Sequence, residues 1–279
     1  MLTVFEAAIT ILMMGAVPII IRSIDANPWT IGLARLGVAT TGMTLIVWLA
    51  GRWVMPTRRE LRAMAIMGLL FGAHWALYFI SIKVSSAAIA VIGQSTFGVH
   101  LVVLGWVIGH HHVDRGDLVA VGCAVAGSLM VAPRWSLSDH DTVGLLIGIL
   151  SSFFYAFLPI LHQRISHLSS SIRVLGQFVF ALPVFLPSWP ASHWRLSAHD
   201  WFWLLVLCVV CTLIQHTLWT RLTTRLPTLT TSVLFYLAVP VTLAFGVVLL
   251  SEQVTPWMIA GAALILTGNL LALVRRQRG

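Results

Sequence analysis

Charge is what this sequence has least of. Lys, Arg, Asp and Glu together make up 9% of its 279 residues, where a soluble domain carries about 25%. So few charges do not cover a soluble globule of this length, so lipid is the expected solvent. Cysteine is scarce as well, at three residues, which excludes a disulfide framework. No Walker-type phosphate loop is present, which excludes ATP-driven transport by this chain alone. No metal-ligand spacing and no nucleophile–base–acid set occurs, so neither a metal nor a cofactor is expected. The nine acidic residues are Glu6, Asp25, Glu60, Asp114, Asp117, Asp139, Asp141, Asp200 and Glu252. All sit near the ends of apolar runs or in loops, whereas a proton-coupled pump usually needs a titrating group in its pathway.

Apolar residues are what fill the chain: they make up 58% of it, and its mean hydropathy is +0.93. The runs do not alternate as barrel strands do, and they match helices crossing a hydrocarbon core. The expected class is therefore an all-α polytopic membrane protein. Ten spans are read at 3–22, 28–50, 61–82, 87–109, 117–133, 143–162, 172–188, 201–220, 228–250 and 257–274. The connections are short, the longest polar one being 188–200, and the first span is read as retained rather than cleaved. With the N-terminus cytoplasmic, twelve basic residues fall inside and four outside. The inside set is Arg52, Arg58, Arg59, Arg62, Arg115, Arg164, Arg173, Arg221, Arg225, Arg275, Arg276 and Arg278, against Arg22, Lys83, Arg134 and Arg195. Both termini are therefore expected in the cytoplasm. The basic residues are not gathered on one soluble face, which argues against nucleic acid as a partner.

A register of 141 positions runs through the chain. It pairs His74 with Gln215 and Tyr78 with Trp219, and also Pro18 with Pro159, Trp53 with Trp194, Gly105 with Gly246, Gly127 with Gly268 and Arg134 with Arg275. Proline, tryptophan and glycine matches in one register indicate a duplication, with residues 1–137 and 138–279 as the two repeats. Five spans per repeat, an odd number, give the halves opposite orientations, and a substrate site is expected at the midplane between them.

Two inverted five-helix halves resemble the drug/metabolite transporter superfamily in its EamA-type exporter branch. The best-matching residues are Phe235-Tyr236-Leu237-Ala238-Val239-Pro240, then Ser251-Glu252-Gln253-Val254-Thr255, and Gly261 through Gly268. The first half departs from the pattern, with Val99 at the position of Pro240 and His111 at that of Glu252. Within the superfamily, an aromatic-lined centre poor in carboxylates is most similar to the bacterial aromatic amino acid exporters of the YddG type. The resemblance implies an inner-membrane exporter.

The candidate substrate-binding residues are His74, Trp75, Tyr78, Gln94, Ser95, Tyr155, Gln177, Gln215, Trp219 and Tyr236. Residues i and i+4 share a helix face, so His74 points with Tyr78, and Gln215 with Trp219. A buried polar group needs a partner. Interhelical bonding supplies one in many membrane helices, and a wet cavity is the other possibility. Trp29, Trp53, Trp135, Trp189, Trp194, Trp201, Trp203 and Trp257 lie near span ends, where interface belts account for them. The deeper rings suit an amphipathic planar solute. Pro18, Pro159 and Pro240 lie within spans and are read as hinges or kinks that expose backbone carbonyls, or as static bends. Gly122 with Gly127, and Gly261 with Gly268, are read as close-packing faces. His110-His111-His112 is read as a cytoplasmic turn rather than a metal cluster, and Cys208, Cys211 and Cys123 as buried thiols. Arg35 stands alone inside the second span, aimed either at a substrate carboxylate or at backbone carbonyls. His74, His100 and His216 are the only titrating groups expected at depth, so the transport expected is facilitative. The alternative from another class is an intramembrane lipid- or quinone-modifying enzyme using His74 or His216. A monomer is expected.

Overall fold

The computed structural model describes residues 2–51, 53–108, 115–131, 135–226 and 228–276, and none of these forms a strand. Helix α1 spans Leu2–Ser23. Asn27 starts α2, Pro28–Leu49, by accepting from the Thr30 amide at 2.9 Å, with Pro28 at the first helical position, where its missing N–H costs nothing. Thr57 and Glu60 form a reciprocal capping box for α3, Arg58–Val84. Ser86 caps α4, Ala87–Gln94, which is followed by α5, Phe97–Val107, and α6, Arg115–Val131. Asp139 caps α7, His140–Arg164, and Ser169 caps α8, Ser170–Phe185. A 3-10 segment, Leu186–Ala191, precedes α9, Ala198–Cys208. A π-helical segment, Val209–Ile214, then joins α9 to α10, Gln215–Arg225. The last elements are α11, Thr228–Leu250, and α12, Pro256–Arg276.

Among the described residues, eight helical stretches are long and apolar enough to cross a membrane, and Pro256–Leu271 is a shorter apolar helix. Large apolar side chains such as Val4, Trp48, Leu118, Val248 and Trp257 face outward. In water such a surface promotes association; against acyl chains it is at home.

The packing obeys a two-fold pattern. The 141-residue register equates α1 with α7, α2 with α8, α3 with the α9–π–α10 run, α4–α5 with α11, and α6 with α12. Helix α3 packs on α7 and α8, and its counterpart run packs on α1 and α2. Helix α4 packs on α7 while α11 packs on α1, and the self-paired contacts α2–α8, α6–α12 and α4–α11 are all present. Exchange of the two halves thus maps these contacts onto one another. At α6–α12 a Cβ on Gly127 would come within 2.5 Å of the Gly261 carbonyl, so glycine is what lets these backbones touch. Gly268 likewise abuts Ala120 and Cys123. Gly122 faces open space and is not part of that contact.

Several local expectations are corrected. The run 87–109 is two helices, because the Ser95 and Thr96 hydroxyls bond back to the carbonyls of Ile92 (2.6 Å) and Gly93 (2.7 Å) and compete with the helical ladder. The run 201–220 begins earlier, is interrupted by the π segment and stays helical through Arg225. Glu6 of α1 lies 3.0 Å from Arg221 and 3.9 Å from Arg225, one helical turn apart near the end of α10. Trp29 and Trp194 are half-buried and pack against the core. His110, His111, His112, Asp114, Arg52, Arg134 and Arg278 lie outside the described residues.

Candidate functional site

A cavity of about 120 Å³ lies where the two halves meet. Helix α1 contributes Met14 and Val17, α2 contributes Arg35, and α3 contributes Phe71, His74, Trp75 and Tyr78. Val91, Gln94 and Ser95 come from the end of α4, and Tyr155 from α7. Gln215, His216 and Trp219 come from the start of α10, and Phe235, Ala238 and Val239 from α11. Five pairs in this lining are register mates: His74 with Gln215, Trp75 with His216, Tyr78 with Trp219, Gln94 with Phe235, and Met14 with Tyr155. The cavity therefore lies on the pseudo-two-fold.

One wall is a chain of rings. His74 stacks with Tyr78 at 5.9 Å and 15°, and meets Tyr155 at 4.7 Å. Tyr155 stacks on Phe235 at 5.7 Å and 13°, and Trp219 reaches Phe235 at 6.1 Å. On the other side Phe71 lies 4.5 Å from Trp75, and His216 stands edge-on to Trp75 at 6.0 Å.

Backbone and hydroxyl partners hold the polar groups. The His74 Nδ1 lies 3.2 Å from the Ser151 carbonyl and 2.8 Å from the Ser151 Oγ. A carbonyl only accepts, so Nδ1 carries a proton. Ser151 Oγ in turn lies 2.9 Å from the His74 carbonyl and 3.3 Å from Gln94 Oε1, a single hydroxyl tying α3, α4 and α7 together. The α4–α5 break is fastened too: Asn269 of α12 donates to the Ser95 carbonyl at 2.8 Å, and Thr96 meets Ser152 at 2.6 Å, which meets His100 at 2.9 Å.

Eight of the ten residues proposed from sequence line the cavity, and two do not. Gln177 accepts from His162 Nε2 at 2.8 Å, joining α8 to α7 instead. Tyr236 turns its hydroxyl to the backbone at Gly98, where a Cβ would lie within 2.2 Å of it. The three prolines lie inside continuous helices, and the interruptions fall elsewhere, after Gln94 and at 209–214. A proline lacks the N–H that would bond the carbonyl four residues earlier. Pro18 and Pro159 therefore free the carbonyls of Met14 and Tyr155, both lining residues. Sequence reasoning left Met14, Val17, Phe71 and Phe235 out of the site. The register itself pointed to two of them, since Met14 is the mate of Tyr155 and Phe235 the mate of Gln94. Cys208 and Cys211 are buried free thiols, and no cluster of three metal-ligating side chains occurs among the described residues.

A family model for EamA-like transporters matches the chain twice, over residues 1–132 and 142–274. The chain belongs to the EamA-like transporter family. Members are transporters, which leaves the intramembrane-enzyme alternative without support. This EamA-like protein is thus an integral membrane transporter of small solutes. Its fold is similar to that of a protein with a crystal structure, which is 14% identical, aligned over 99% of this chain and 97% of the other with a TM-score of 0.69. No curated protein matches the chain.

Proposed function

We propose that this EamA-like transporter exports aromatic amino acids and similar amphipathic solutes by alternating access, as the YddG-type exporters do. The reading has ten membrane crossings in two inverted halves, both termini in the cytoplasm, and a monomer in a bacterial inner membrane. The observation that carries it is the cavity lining itself. A ring-walled space with a few fixed donors and acceptors, assembled from register mates of both halves, fits a planar solute with one polar end. The rings of Tyr155, Phe235 and Trp219 stack on the substrate's apolar part. His74, Gln94, Ser95 and Gln215 reach its polar groups, and the carbonyls freed by Pro18 and Pro159 are acceptors for its ammonium.

The volume supports a moving cavity. About 120 Å³ is close to the roughly 150 Å³ of a cavity that takes one benzene ring. A bicyclic amino acid therefore needs the halves to part, which is what rocking about the pseudo-two-fold supplies. Among the described residues no Asp or Glu lines the cavity, which favours facilitated export down the substrate gradient over proton coupling. The test is tryptophan counterflow in proteoliposomes with no pH gradient. Saturable exchange is expected; flux only under an imposed gradient rejects facilitation, and no flux of any aromatic amino acid rejects the substrate class. Tags at both ends, accessible to protease only from the cytoplasmic side of inverted vesicles, test the orientation.

A further inference from the structure

We propose that Arg35 anchors the carboxylate of the substrate and fixes its direction in an otherwise near-symmetric cavity. This rests on the aromatic-solute reading above and adds the charge it must carry.

Arg35 sits in the first half of α2, is 2% exposed, and lines the cavity. Its Nε donates to Thr212 Oγ1 at 2.9 Å, and Nη2 reaches the Cys211 carbonyl at 3.5 Å. Its Cζ lies 4.1 Å over the Trp75 ring and 5.2 Å from the Phe79 centroid. Among the described residues no acidic side chain is within ion-pair distance of it. A guanidinium stays charged and offers five N–H donors, and among the described residues its hydrogen bonds run from Nε and Nη2. Burying a lone charge is costly, and stacking on a ring offsets part of that cost. An anion that enters the cavity offsets the rest, and a carboxylate matches the planar fork.

The surrounding backbone is built for this side chain. Thr212 Oγ1 gives its one hydrogen to the Leu207 carbonyl at 2.8 Å, so its lone pair faces the Arg35 Nε. Thr212 and Cys211 both belong to the π segment, a wide turn of the kind often found at functional sites. The register mate of Arg35 is Gly176, so the charge enters from one half alone. With no acidic side chain among the described lining residues, a single cation on one side dictates which end of the solute lies there.

The experiment is equilibrium binding to the purified full-length protein of four indoles: tryptophan, indole-3-propionate, tryptamine and tryptophan amide. The two carboxylates are expected to bind on the order of tenfold or more tighter than the two ligands without one, the range for a hydrogen-bonded charge. Arg35→Gln should erase that preference while leaving the protein monodisperse. Arg35→Lys, which keeps charge without the fork, should retain part of it. Thr212→Val leaves Arg35 in place and should narrow the preference several-fold, which keeps the idea testable if Arg35→Gln does not fold. Amide or amine binding as tightly as tryptophan overturns the proposal, and so does a folded Arg35→Gln protein that still prefers the acid. Tryptophan counterflow that proceeds in such a case leaves the aromatic-transport reading standing; absence of both binding and counterflow removes both.

Discussion

Ser151 is the residue that sequence reading had no reason to notice. It is fully buried and holds His74 by the ring Nδ1 and by the backbone carbonyl while also reaching Gln94. Losing one buried hydrogen-bond partner costs about 1–3 kcal/mol. In Ser151→Ala the ring keeps the Ser151 carbonyl as acceptor but loses the hydroxyl that fixes it to α4. Counterflow should slow several-fold with expression unchanged, and KM should rise more than the maximal rate falls. His74→Ala and Trp219→Ala should lower transport further, and unchanged flux in both would remove the site assignment. Gln177→Ala should instead show up as lost stability with little change in substrate affinity, since Gln177 bonds His162 and not the cavity. From sequence Gln177 and Gln215 looked alike: each is a lone amide in an apolar span. What separates them is the direction each faces, set by helix rotation against neighbours 15 or more residues away.

At the scale of elements, the places where helices stop being regular are not the places where proline sits. Pro18, Pro159 and Pro240 lie within unbroken helices, while the break after Gln94 comes from Ser95 and Thr96 and the π segment carries Thr212. Short hydroxyl side chains are common in membrane helices, and only their bonded partners reveal which ones unwind the backbone. The α6–α12 pair shows the opposite case, where the spacing of glycines did indicate contact. Gly127→Leu should force the helices apart, since its Cβ would already meet the Gly261 carbonyl at 2.5 Å; overpacking of this kind costs about 1–3 kcal/mol or more. Gly122→Leu, with nothing within 4 Å, is the control and should be close to neutral. Thermal unfolding in detergent measures both, and equal midpoints would show that the close approach is unimportant.

For the whole molecule, Glu252 joins the two halves. Its carboxylate oxygens accept from the backbone amides of Ala87 at 2.8 Å and Ala88 at 3.0 Å, at the start of α4. A carboxylate at a helix N-terminus satisfies free amides and meets the positive end of the helix dipole. Glu252→Ala should lower stability by about 1–2 kcal/mol, with Glu252→Gln recovering part, and no change in the unfolding midpoint would show that the contact carries no weight. From sequence, Glu252 was only a position shared with a family pattern. The coordinates turn it into a cap that one half places on the other.

Solvent class, helix content, the duplication and its 141-residue register were all readable from the chain, because each follows from composition or from spacing along one dimension. Eight lining residues were named in advance, and the register pairs several more, since duplicated halves that meet on a two-fold bring matching residues to the axis. Which polar side chains face that axis was decided only by the packed structure. Gln177 and Tyr236 turn aside, Arg35 turns in with no acidic partner among the described residues, and Ser151 and Thr212 hold the ring and the guanidinium in place. Those outcomes depend on helix rotation and on a hydroxyl's choice between two carbonyls. Both are settled by contacts between distant segments, so neither leaves a periodic mark in the sequence.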